Sequence, residues 1–129
     1  MRARLRVGAK CVEELSAWQL ANELRDQIHA LIAERRSIDD WNFRHQLRAA
    51  VSSVACNIAE GFGRYRHREF AQFLNVARGS LFEVSEHLRD GVSRGYWTSQ
   101  AIAEPLVLCR RTTAAVTRLI VYLKTHPDR

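Results

Sequence analysis

The sequence has few of the features that are typical of secreted proteins, of membrane proteins or of proteins stabilised by a metal ion. It contains two prolines and three cysteines in 129 residues, and no apolar run approaches the roughly 20 residues of a transmembrane helix. Cys11, Cys56 and Cys109 are odd in number and far apart, which fits neither a disulfide framework nor a metal-binding pattern. The basic opening leads into no apolar stretch, so it lacks the form of a secretory signal. We therefore expect one cytoplasmic domain without membrane contact.

The charge balance is the most prominent positive feature of the composition. The formal net charge is +6, and 18 of the 20 basic residues are arginine. Arginine binds phosphate and carboxylate through two parallel hydrogen bonds, which suits nucleic acid or acidic partners. The base composition of a genome can produce the same arginine bias, so composition alone leaves both interpretations open.

The apolar residues recur at helical spacing throughout the chain. Steps of four and three residues predict helices over about 13–36, 40–62, 67–92 and 98–124. Alternation of these two steps is the heptad spacing of bundle packing, and short polar links force neighbouring helices to run antiparallel. The prediction is an all-α, up-down-up-down four-helix bundle over 13–124, preceded by a basic leader (1–12) and followed by a frayed tail (125–129).

Local signals refine these helices. Asp39 or Asp40 is suited to cap the second helix, and Pro105 predicts a kink or a late start in the fourth. Gly61 and Gly63 are expected to stop the second helix by adopting the left-handed conformation. Cys56 and Cys109 are assigned to apolar faces. The third helix should begin near His67 without a side-chain cap, because Arg66 cannot accept a hydrogen bond from the open N–H groups.

The stretch 46–88 resembles a known family. The residues that carry the likeness include NIAEG at 57–61, GR at 63–64, EF at 69–70 and GSL at 79–81. They are similar to the family named simply four helix bundle protein, which includes the intervening-sequence proteins encoded within bacterial large-subunit ribosomal RNA genes. They also resemble the accessory protein of diversity-generating retroelements. This resemblance implies a bundle assembled as a ring-like homopentamer, with retroelement relatives that bind a reverse transcriptase and nucleic acid through a basic surface.

The densest basic patch lies between the second and third predicted helices. Arg64, Arg66 and Arg68 surround Tyr65, and arginines with an interleaved aromatic residue suit phosphate contact combined with base stacking. A solvated loop that keeps the protein soluble has the same composition. Four further arginines are candidates to extend the patch: Arg44, Arg48, Arg110 and Arg111.

A second candidate is a polar cluster where the second and third helices should pack. Asn57, Glu60 and Ser80 could form a ligand site, but they fit better as groups that bond to one another and fix the register of the two helices. No nucleophile–base pair, phosphate-binding glycine loop or metal-ligand spacing accompanies them. We therefore expect no enzymatic activity, no cofactor and no metal.

Two functions of different class follow from the sequence. The first is a non-enzymatic, oligomeric basic bundle that acts as an interaction module for nucleic acid, for protein, or for both. Its expected partners are further copies of the chain, RNA or DNA, and a reverse transcriptase or another protein. The alternative is a purely structural or regulatory assembly protein without affinity for nucleic acid.

Overall fold

The computed structural model describes residues 8–34, 39–126 and 128, and these form four α-helices with no strand among them. The helices are α1 (Ser16–Ala33), α2 (Trp41–Phe62), α3 (His67–Ser93) and α4 (Ala103–Thr125), and a short 3-10 turn, Val12–Glu14, precedes α1. The all-α class is confirmed. The predicted end of the first helix, at residue 36, lies outside the described residues.

Contacts between helices show that sequence neighbours run antiparallel. Rings of α2 and α3 meet at both ends of the pair: Phe43 with His87, and Phe62 with Phe70. Between α3 and α4, His67 at the start of α3 lines a common cleft with Lys124 in the last turn of α4. The beginning of α1 and the end of α4 line a common cleft of about 440 Å³. The start of α3 therefore lies at the same end of the molecule as the ends of α2 and α4.

The core is made of the apolar stripes that the sequence predicts. Leu24, Leu47, Leu74 and Val116, one from each helix, are fully buried. Burial also raises the pKa of the Cys109 thiol in this core.

The prediction for Cys56 is wrong, because this residue is exposed. It lies two positions from both Val54 and Ile58, and each residue turns an α-helix by about 100°. Cys56 is therefore rotated by about 200° from either of these buried neighbours, onto the outer side of α2.

The prediction that Gly61 and Gly63 stop α2 in the left-handed conformation is also wrong. Gly63 has a φ of −73°, within the right-handed region. Gly61 is still helical and is buried against α3. A Cβ at Gly61 would lie 2.7 Å from Phe70 Cδ1 and 3.1 Å from the Phe70 carbonyl oxygen. Glycine is therefore required at position 61 by the close approach of two helices.

The link between α3 and α4 braces the opposite end of the molecule. Gly95 has a φ of +83°, which glycine adopts without strain, and the turn directs Trp97 into the core. Asp40 caps α2 as predicted, since its Oδ1 accepts from the Phe43 N–H at 3.1 Å. The other carboxylate oxygen of Asp40 accepts from the hydroxyl of Tyr96 and from Arg94 Nη1. One carboxylate thus joins a helix cap to a distant loop.

The fourth helix starts late, as Pro105 allows. α4 begins at Ala103, and turns occupy the residues from about 98 to 102. Pro105 therefore falls in the first helical turn, where a backbone N–H has no intrahelical acceptor and its absence costs little.

Gly61→Ala should destabilise the fold, because the new methyl group would overlap both a ring and a backbone oxygen of α3. We expect a loss of about 1–3 kcal/mol in the free energy of unfolding, the usual cost of overpacking. Gly63→Ala is the matched control, since its Cβ would meet only ordinary contacts at 3.5 Å and 3.6 Å. Urea titrations of both variants test this. A marked loss in the Gly63 variant would reinstate the left-handed stop.

Asp40 makes the stability of the fold depend on pH. The hydrogen bond from Tyr96, followed by that from the Phe43 N–H, holds the pKa of Asp40 below its ordinary value. The resulting stabilisation is present above the unfolded pKa and is lost as pH falls through the folded pKa. Asp40→Asn should therefore melt below the wild type at pH 7, and the difference should shrink between about pH 5 and pH 3. Asp39→Asn is the control, and a constant offset for the Asp40 variant across this range would contradict the assignment.

Candidate nucleic-acid interface

The predicted basic patch is built on the link between α2 and α3. Arg64 Nη2 lies 2.6 Å from Glu60 Oε2 in the preceding helix, forming an ion pair. Its guanidinium carbon is 4.8 Å from the centroid of the Phe73 ring. Arg64 is thus held in place by one acid and one aromatic face, while its side chain stays 43 % exposed.

Arg66 and Arg68 are exposed and form no ion pair with the described residues. Arg66 occupies the N-cap position of α3 with extended backbone and makes no side-chain cap. Arg68 follows in the first turn and lines a cleft of about 480 Å³ together with Lys124. Tyr65, between the arginines, is 63 % exposed. The exposed guanidinium groups of Arg66 and Arg68 thus lie within three residues of the exposed ring of Tyr65.

The cap that Arg66 does not supply comes from another part of the chain. The His67 N–H donates to Asp128 Oδ1 at 2.8 Å, across 61 residues of sequence. The buried His67 ring also donates from Nδ1 to the carbonyl oxygen of His126. His126 and Asp128 belong to the segment that the sequence was expected to leave frayed, and the structure places both against α3.

The other candidate arginines lie away from this patch. Arg44 is about 27 Å along α2 from Phe62, and Arg48 is one turn nearer, at the 1.5 Å rise per residue of an α-helix. Arg110 and Arg111 are similarly about 22 Å along α4 from its last residue. The antiparallel topology therefore does not bring these four residues to Arg64, Arg66 and Arg68.

Lys124 is a basic residue at the patch that sequence reasoning missed. It lies in the last turn of α4, and the up-down order brings that turn to the start of α3. Arg118, nearly two turns earlier on α4, lines the other cleft at the same end of the molecule. The predicted topology contained the signal for both residues, because the fourth helix must end where the third begins.

The polar cluster between α2 and α3 centres on a residue outside the predicted set. Ser53 Oγ lies 2.9 Å from both Asn57 Nδ2 and Ser80 Oγ, so one hydroxyl joins the two helices. Asn57 Nδ2 also donates to the Ser53 carbonyl oxygen at 2.8 Å. Glu60 lies apart, paired with Arg64 on the surface. Asn57 and Ser80 are thus brought together through Ser53, in an arrangement that fits the fixing of helix register.

Two further properties concern the described part of the chain. Across residues 8–34, 39–126 and 128, no three His, Cys, Asp or Glu side chains converge in a way that could hold a metal ion. Among the helices traced there, none combines the length and apolar character needed to cross a bilayer.

The fold and the patch define a class of protein, namely an all-helical four-helix protein with accessible arginines at one end. The model of the 23S rRNA-intervening sequence protein family matches residues 13–118. The chain belongs to this family, and the resemblance seen in the sequence is confirmed. A comparison with curated proteins finds no significant match.

Proposed function

We propose that this protein is a non-enzymatic interaction module that binds nucleic acid through Arg64, Arg66 and Arg68. The observation that carries the proposal is the exposure of Arg66 at the N-cap of α3 and of Arg68 in its first turn, with the exposed Tyr65 adjacent to Arg66 in the chain. Guanidinium groups bind phosphates along the backbone, and an accessible aromatic ring stacks on an unpaired base. The surface therefore suits a single-stranded segment better than a duplex.

Family membership also supports the proposal of nucleic-acid binding. The family is that of the 23S rRNA-intervening sequence proteins, which is not a known enzyme family and whose name connects it with ribosomal RNA. The net charge of +6 favours association with any polyanion, and Lys124 adds a cation at the cleft beside Arg68. RNA is accordingly the first nucleic acid to test.

Replacing Arg64, Arg66 and Arg68 with alanine should weaken binding of a labelled single-stranded RNA 20-mer and flatten its salt dependence. Each phosphate contact to a single strand contributes about 0.7 to the slope of log affinity against log salt. We expect the slope to fall by about 2 when three contacts are lost, as measured by fluorescence anisotropy over a salt series.

The matched control replaces Arg48, Arg110 and Arg111, which removes the same charge from exposed positions farther along the helices. This control should change the slope by less than half as much. Equal effects of the two triple variants would show that only net charge matters. Wild-type binding without salt dependence would remove the nucleic-acid proposal.

Assembly of several copies is the second candidate function, and the outer face of α3 favours it. Val76 is 52 % exposed and Phe82 is 57 % exposed on this face. Between them lies Gly79, where an added Cβ would have nothing within 4 Å. A glycine inside an exposed helix costs about 0.5–1 kcal/mol relative to alanine and has no packing reason within the described chain. It would let the backbone of another copy approach closely.

The family resemblance makes a ring-like homopentamer the proposed form of this assembly. Sedimentation at micromolar concentration should then give a mass near five times the 14.8 kDa of one chain. Phe82→Asp should dissociate the assembly while helicity is retained, because a charge would replace an apolar side chain on the contact face. Trp41→Asp, at an equally exposed aromatic residue of α2, should leave the mass unchanged. A wild-type monomer at this concentration would refute the assembly.

A further inference from the structure

The start of α3 is occupied by an anion that belongs to the chain itself. The first N–H groups of an α-helix have no intrahelical acceptor and carry the positive end of the helix dipole, so they favour a negative group. In this protein the Asp128 carboxylate accepts from the first of them, the His67 N–H, at 2.8 Å. The same oxygen lies 3.9 Å from His67 Nδ1.

This carboxylate shares a cleft with cations of the proposed interface. Arg66 directly precedes His67 at the N-cap, and Arg68 and Lys124 line the cleft that Asp128 also lines. Asp128 thus places a negative charge within the basic patch, where it opposes the approach of a polyanion. A carboxylate and a phosphate offer the same kind of acceptor oxygen to a helix N-terminus, and one N–H donates to only one of them in good geometry.

Further contacts hold His126, two residues before Asp128, at the end of α4. Besides the bonds to His67, His126 stacks on Tyr122 with ring centroids 4.0 Å apart, and its Nδ1 lies 2.9 Å from the Tyr122 carbonyl oxygen. Both Tyr122 and Lys124 lie in the last turns of α4, so the segment is anchored next to its own helix.

We propose that Asp128 forms an autoinhibitory contact, in which its carboxylate holds the position on the start of α3 that a nucleic-acid phosphate takes when the segment is displaced. The contact has two consequences. It caps α3 in the free protein, which substitutes for the side-chain cap that Arg66 cannot supply. It also weakens nucleic-acid binding until a phosphate replaces the carboxylate. This inference rests on the proposed nucleic-acid function, and one arm of its test reads the contact without nucleic acid.

The test compares the full chain with Asp128→Ala, Asp128→Asn and the control Glu86→Ala. Asp128→Ala removes both charge and acceptor, whereas Asp128→Asn keeps an acceptor oxygen for the His67 N–H and so guards against loss of folding. Glu86→Ala makes the same change in net charge on the outer side of α3, away from its start. Affinity for the labelled RNA 20-mer should rise about three- to tenfold in Asp128→Ala and less than twofold in the control. Asp128→Asn should give a rise between these two, because it loses the charge but its amide oxygen still holds the His67 N–H.

The second arm titrates inorganic phosphate into the ¹⁵N-labelled proteins and follows the His67 amide resonance. Phosphate should shift this resonance in Asp128→Ala and leave it nearly unchanged in the wild type, where the carboxylate already holds the N–H. Unchanged RNA affinity in the Asp128 variants, with wild-type binding intact, would reduce Asp128 to a structural cap and overturn the inference. If neither the wild type nor any variant binds RNA, the proposed function fails, and the phosphate titration then tests the Asp128 contact by itself. A shift of the His67 resonance confined to Asp128→Ala supports the contact, and the absence of this shift overturns it.

Discussion

The contact on which the rest of the structure depends is the close approach of α2 and α3 at Gly61. The absence of a side chain at this position lets the Phe70 ring and backbone lie against α2. The ring of Phe62 also packs edge-on against the ring of Phe70, with their centroids 6.1 Å apart. Because Gly61 lies only six residues before α3 begins at His67, this close approach fixes how sharply the chain reverses. The link at 63–66 is consequently short and projects its arginines from one end of the molecule.

A hydrogen bond between side chains holds α2 and α3 in register at a second place, away from Gly61. Ser80 Oγ of α3 bonds to Ser53 Oγ of α2, so a shift of one helix along the other would break this bond and separate two hydroxyl groups that partner each other. Asn57 bonds to Ser53 within α2 and holds that hydroxyl in place. Apolar stripes at heptad spacing tolerate such shifts better than polar groups do. The polar cluster and the glycine contact together account for the defined geometry of the α2–α3 pair, which positions Arg64, Arg66 and Arg68.

At both ends of the molecule a carboxylate connects the start of a helix to a part of the chain that is remote in sequence. At one end Asp40 caps α2 and binds Tyr96 and Arg94, which ties the cap to the link that follows α3. At the other end Asp128 supplies the acceptor that α3 lacks. The two acids differ in consequence. Asp40 stabilises a surface with no proposed ligand, whereas Asp128 lies within the proposed interface, where its carboxylate would also compete with a nucleic-acid phosphate.

The sequence by itself determined the helices, their order and their inward faces, because burial of apolar side chains at heptad spacing leaves few alternatives for a chain with short polar links. It also limited the cap of α2 to Asp39 or Asp40 and the effect of Pro105 to a kink or a late start, since both depend on neighbours within a few residues, and the structure selected Asp40 and the late start. Only the tertiary structure decided the role of Gly61, which depends on Phe70 of another helix, and the exposure of Cys56. It likewise decided which arginines share a surface, and it brought Ser53, Lys124 and Asp128 to their partners. These features depend on distances between residues far apart in sequence, and no local pattern of the chain encodes such distances.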